Sequence, residues 1–207
     1  IPFNLNSLKI TVVGSINMDT YLNVPQLPHT GKTVITSTSS VYPGGKGINQ
    51  AIGASRLGHR VTLIGNVGSD LDSDNIYRAL NENGVETHGV KRCLQTDTGK
   101  AYIFVDSNGD SMISILTGAN GIFTPQDICE KEHLFENTGY CLIQSEIPLD
   151  TMREACRMAH KYHAKTIVKP SACSSMTREM LADIDIIIPN EDELFELCSN
   201  CLLYTSD

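Results

Sequence analysis

The sequence predicts an α/β fold: a three-layer, Rossmann-like parallel sheet flanked by helices, with a small β-sheet laid over it as a lid. Three observations predict it. Short apolar, β-branched runs alternate with helix-length segments along most of the 207 residues, the pattern of right-handed βαβ crossovers onto a sheet covered on both faces. Two regions, at about 20–42 and 100–116, have half-polar strand content that does not belong inside such a sheet. A glycine pair, Gly44-Gly45, opens a helical run at a point where backbone can come close to a ligand.

The elements follow in order. Lys9 to Ser15 (KITVVGS) is a buried strand ended by Gly-Ser. Tyr21 to Tyr42 holds two extended stretches around LPHTGK, with Pro25, Pro28 and Gly31 as turn residues. The helix from Gly44-Gly45 reaches Leu57 and is closed by Gly58. Val61 to Val67 is a strand, and Asp70 to Asn83 a helix ended by Gly84. Ala101 to Val105 and Ser111 to Leu116 flank DSNGD, a hairpin signal because Asn-Gly supplies the positive φ angles of a tight turn. Strands at Tyr140 to Ser145, Lys165 to Lys169 and Asp185 to Pro189 then alternate with helices at Leu149 to His163, Met176 to Ala182 and Glu191 to Cys198. Ligands of such sheets bind at the carboxyl ends of the strands, so a second sheet there would act as a lid.

Composition narrows the function classes. A net charge of −8 with no cluster of Lys and Arg argues against a nucleic-acid surface. Apolar runs such as Ile184 to Pro189 are too short to span a membrane, and a soluble, cytoplasmic protein is expected. The seven cysteines are odd in number and scattered, unlike a secreted disulfide framework. Cys198 and Cys201 form a CxxC, but no second CxxC or nearby His pair completes a zinc site.

The glycine segment fits neither common nucleotide cradle. Gly31-Lys32-Thr33 ends like a phosphate-binding loop, yet Gln26 stands where its first glycine should be. Gly45-x-Gly47 is followed by Gln50 where the dinucleotide fingerprint requires glycine, which argues against a nicotinamide-dependent dehydrogenase. Asn17 and Asp19, two apart just after the first strand, are placed to point the same way at its carboxyl end. They either cap a turn or meet a ligand's hydroxyls.

Gly44-Gly45-Lys46-Gly47-Ile48-Asn49-Gln50-Ala51, with Gly58 and Gly68 at their spacing, resembles the N-terminal signature of the ribokinase family of carbohydrate kinases. GSINMD (Gly14 to Asp19), TGKAYIFVDSNGD, LTGAN, QSEIP and IIPNEDE follow that family's order from about Lys9 to Asn200. The resemblance implies a sugar site made by Asn17, Asp19, Gly45, Lys46, Asn49 and Glu146, with Ala101 and Ile103 of the lid over the sugar face. It implies that Asn190 and Glu193 help to place ATP and Mg²⁺, Glu193 through water. Ribose phosphorylation to ribose 5-phosphate is the expected reaction, with kinases of deoxyribose, a ketohexose or a nucleoside, or a non-catalytic sugar-binding protein, as alternatives. A homodimer through the lid and activation by a monovalent cation such as K⁺ are further implications.

Two departures stand out. Lys169 occupies the position of the family's usual Asn, and either supplies charge near the phosphates or marks a different sugar. The family's C-terminal motif Asp-Thr-x-Gly-Ala-Gly-Asp, whose last Asp is the general base and whose glycines form the anion hole, is not in the sequence. The expectation is therefore the N-terminal two-thirds of a family member, 1–200, inactive and poorly soluble alone, with CLLYTSD (201–207) as a non-native tail.

Overall fold

The computed structural model describes residues 8–171 and 173–202. Six strands form one parallel sheet in the order β10-β9-β8-β1-β4-β5. These are β1 (Lys9–Val13), β4 (Arg60–Gly68), β5 (Glu86–Cys93), β8 (Thr138–Gln144), β9 (Lys165–Lys169) and β10 (Ile186–Ile187). A second, four-stranded sheet has the order β3-β2-β6-β7, built from β2 (Asn17–Asn23), β3 (Thr38–Gly44), β6 (Gly99–Val105) and β7 (Ser111–Leu116). The longer helices are α1 (Lys46–Arg56), α2 (Leu71–Glu82), α4 (Leu149–Lys161) and α6 (Glu191–Leu202), with short α3 (Pro125–Cys129) and α5 (Arg178–Ala182) between them.

Strand alternation divides the core in two. Val12 and Leu63 join Ile48, Ala51, Ile76 and Leu80 of α1 and α2 on one face of the sheet. Their chain neighbours Val13 and Ile64 join Phe123, Phe135, Met152 and Ala155 on the other. The near-continuous apolar character of β1 and β4 has this cause, since both of their faces are covered.

The sequence reading missed β5. ETHGVKRC is half polar because it is an edge strand, paired only with β4. Gly89 sits where the register shifts, and a Cβ there would lie 2.5 Å from the Leu63 carbonyl oxygen. The 106–110 turn also differs from expectation. β6 and β7 pair from Val105 opposite Ser111, leaving a five-residue loop in which Gly109 takes a positive φ of 88° and Asn108 does not. Two hydrogen bonds from backbone N–H groups to Asp106 Oδ1 stabilise the wider loop instead. The lid begins earlier than about residue 20, since Asn17 and Asp19 already lie within β2. Helix α6 continues to Leu202, and residues 203–207 of the expected tail lie outside the described residues.

No helix among the described residues is long and apolar enough to cross a membrane. Cys93, Cys141 and Cys156 are buried free thiols and Cys173 is buried; burial pushes Cys156 up to about 12. Cys198 is an exposed free thiol, and the side chain of Cys201 lies outside the described residues.

Candidate active site

The carboxyl ends of β1 and β8 and the start of α1 meet beneath the lid. Gly45 precedes α1 with φ 90° and ψ 150°, a conformation that L side chains rarely adopt. A Cβ there would also lie 2.9 Å from the Ser15 carbonyl oxygen. At Gly47 the same atom would lie 2.6 Å from that oxygen. These glycines let the helix start press against the strand end, where the Gly47 N–H donates to the Ser15 oxygen at 3.0 Å.

Ser15 links the two sides of the site. Its Oγ donates to Glu146 Oε2 at 2.6 Å and accepts the Lys46 N–H at 3.1 Å. Lys46 Nζ forms an ion pair with Glu146 Oε1. Residues 15, 46 and 146 thus make one closed cluster of a hydroxyl, a cation and a carboxylate.

Asp19 stands beside this cluster on β2. Burial pushes its carboxyl above the ordinary value and nearby Glu146 adds to the push; the Gly45 N–H and Lys46 pull the other way without cancelling it. Its Oδ1 is buried and has no hydrogen-bond partner. A carboxylate oxygen left this way calls for a donor, and a ligand hydroxyl supplies one. A cleft of about 430 Å³ opens here, lined by Asp19, Tyr21, Tyr42, Gly44 and Asn49 among others. A Cβ at Gly44 would lie 1.9 Å from Asp19 Oδ2, so a larger residue there would displace the carboxylate.

The lid register places Ala101 directly beside Asp19 and Ile103 beside Tyr21, on the same face of the small sheet. Both are buried. Asn17 is also buried, at 3% exposure, and its Oδ1 accepts from Asn120 Nδ2 at 2.8 Å. All eight residues expected to meet a sugar therefore gather around β1, β2, β6, β8 and α1. Ser15 and Asn120 were missed: they are short polar residues in a strand end and a turn, and only their long-range partners reveal them.

A model of the pfkB family of carbohydrate kinases matches residues 7–207. The chain belongs to that family. The ribokinase of Bacillus subtilis is 34% identical to it over 185 residues, covering 89% of this chain and 63% of that protein. The bifunctional ribokinase/ribose-5-phosphate isomerase A of Fructilactobacillus sanfranciscensis is 37% identical over 186 residues, 89% of this chain and 34% of that protein. The structure of Arabidopsis thaliana ribokinase complexed with ribose and ATP superposes with a TM-score of 0.82 at 31% identity, over 93% of this chain and 63% of that one. The chain thus spans less than two thirds of the length of each of these proteins.

The second group of expected site residues, Asn190 and Glu193, lies at the start of α6, after β10 and against Lys169 at the end of β9. Asn190 and Glu193 cap α6 reciprocally: Asn190 Oδ1 accepts the Glu193 N–H, and Glu193 Oε2 accepts the Asn190 N–H, both at 2.8 Å. Lys169 Nζ forms an ion pair with the same Glu193 oxygen. Glu193 is held below its ordinary value: burial opposes ionisation, but Lys169, the Asn190 N–H and Lys46 together outweigh it. A single anchored carboxylate fits a water-mediated hold on Mg²⁺, which keeps several waters and takes its other ligands from phosphates.

Proposed function

We propose that this chain forms the sugar-binding part of an ATP-dependent kinase that converts ribose to ribose 5-phosphate in the cytoplasm. The observation that carries the proposal is the half-buried Asp19 carboxylate with an unpaired Oδ1, beside the Ser15–Lys46–Glu146 cluster and under an apolar lid. Such an arrangement suits a small, uncharged, hydroxyl-rich ligand: carboxylates accept from its hydroxyls, Lys46 and Asn49 donate to them, and Ala101 and Ile103 cover its carbon face. The similarity to ribokinases favours a pentose.

When bound, MgATP supplies the γ-phosphoryl group and the charge neutralisation that its transfer needs. Asn190 and Glu193, at the start of α6 beside Lys169, would hold the hydrated Mg²⁺. Monovalent-cation activation, by K⁺, belongs to the same proposal. So does a homodimer through the lid, supported by its outer strand β7, where Met112, Ile113, Ile115 and Leu116 are all exposed. Sedimentation of the wild type and of Ile113→Lys tests it: a dimer that the charge dissociates is expected, and a wild-type monomer would refute it.

Calorimetric titration with ribose, 2-deoxyribose, fructose and adenosine tests the substrate. Ribose is expected to bind with a Kd between about 1 μM and 1 mM, ahead of the other three. Tighter binding of another sugar reassigns the substrate; binding without sugar-dependent ATP turnover in any longer form of the protein favours a binding protein.

A further inference from the structure

Asn120 lies in the short turn of 3-10 helix Gly118–Ile122 that follows β7, and only 2% of it is exposed. Its side chain reaches back across 104 residues to both backbone groups of Ile16. The Ile16 N–H donates to Asn120 Oδ1 at 2.9 Å, and Asn120 Nδ2 donates to the Ile16 carbonyl at 3.1 Å. A backbone N–H can only donate and a carbonyl can only accept. The usual ambiguity between the oxygen and nitrogen of an asparagine is therefore removed by the partners.

That orientation is passed on. The second hydrogen of Asn120 Nδ2 points at Asn17, so the Asn17 atom 2.8 Å away must be the acceptor, Oδ1. The Asn17 amide is thereby turned with its oxygen toward Asn120, and its Nδ2, with two donors, takes the other direction. Gly99 packs against both amides, and a Cβ there would fall on Asn120 Nδ2 and Asn17 Oδ1. A glycine at the start of β6 thus keeps room for the pair of amides at the base of the lid.

Asp19 is the opposite case. Its ionised carboxylate can only accept, and its Oδ1 waits for a donor. Asn17 and Asp19 share one face of β2 two residues apart, roughly 7 Å along the strand. Neighbouring hydroxyls of a pentose can bridge that span.

We infer that Asn120 is a specificity-determining positioning residue: it fixes the Asn17 amide so that its Nδ2 donates beside the acceptor Asp19, and the site reads two neighbouring hydroxyls with opposite polarity. One hydroxyl accepts from Asn17 and its neighbour donates to Asp19. The inference rests on the pentose proposal for the same site.

Fluorinated sugars separate the two polarities, because fluorine accepts weakly and never donates. The wild-type chain is titrated calorimetrically with ribose, 2-deoxy- and 3-deoxyribose, and their 2-fluoro and 3-fluoro counterparts. At the position facing Asn17, fluorine is expected to bind roughly fivefold more tightly than hydrogen. At the position facing Asp19, fluorine is expected to bind less tightly than hydrogen, because it meets a carboxylate. In Asn120→Ala the Asn17 amide is free to turn, and the difference between the two positions should shrink to within about twofold. The wild-type panel stands by itself if that variant does not fold. Rejection of fluorine at both positions, or a folded Asn120→Ala that keeps the asymmetry, overturns the inference while leaving the pentose site intact. Failure of ribose to bind the wild type overturns the pentose proposal and this inference together.

Discussion

Replacing Asp19 by Asn should make the protein more stable and worse at binding sugar. The carboxylate is destabilised where it stands: burial and Glu146 raise its proton affinity, and Oδ1 has no partner. A carboxyl whose folded value lies above its unfolded 3.8 binds protons more tightly when folded. Its contribution therefore favours the fold at low pH and is lost as pH rises from about 3.8 through the raised value. The amide is nearly isosteric and carries no charge, so Asp19→Asn removes that loss, and its unfolding midpoint at pH 7 should exceed that of the wild type. Sugar binding moves the other way. A hydrogen bond to a charged group contributes about 1.5–3 kcal/mol, so losing the Asp19 acceptor should weaken ribose by roughly 10–150-fold. For the wild type, ribose affinity should rise with pH through the Asp19 titration, since the hydroxyl prefers the ionised acceptor. Urea denaturation and calorimetry at pH 4, 5.5 and 7 measure both. A variant that is less stable than wild type at pH 7, or that binds ribose within twofold of it, would refute the reasoning.

Three further outcomes are expected. Gly45→Ala combines a φ of 90° with a Cβ 2.9 Å from the Ser15 oxygen; it should cost at least about 2 kcal/mol in denaturant unfolding and abolish ribose binding. Lys169→Met removes a cation from Glu193, whose lowered value makes its contribution present above about 4.5 and lost as pH falls through the folded value. The variant should lose on the order of 1 kcal/mol near pH 7 and show a flatter acid limb, and an unchanged slope between pH 3 and 5 would contradict the ion pair. Phe123→Ala, in the core between sheet and α4, should cost about 3–5 kcal/mol with no change in which sugars bind, as a melting curve and the same titration will test.

Lys169, the departure from the family's usual Asn, has a defined partner. Its ammonium is spent on Glu193 at the α6 end of the site rather than on the Asp19 cleft. Both readings of this departure stay open, since the same Glu193 also feels the charge of Lys46.

Element order, the parallel character of the main sheet and the separate lid were legible in the sequence. Burial on one face or both leaves its mark on each residue and its near neighbours, and GGKG marks its helix start in the same local way. The residues of the proposed sugar site were legible as a set of positions, from Asn17 and Asp19 to Glu146. What each of them touches was decided by tertiary structure alone. Ser15 meets Glu146, 131 residues later in the chain, because β8 lies next to β1. Asn120 reaches Ile16 because the turn after the lid returns to the lid's base. Edge strand β5 was missed because only one of its sides has a partner strand, so its sequence keeps the polar residues of an exposed segment. Hydrogen-bond polarity at Asn17 is the clearest case: an asparagine has no preferred direction in sequence, and only a partner that cannot reverse its own role imposes one.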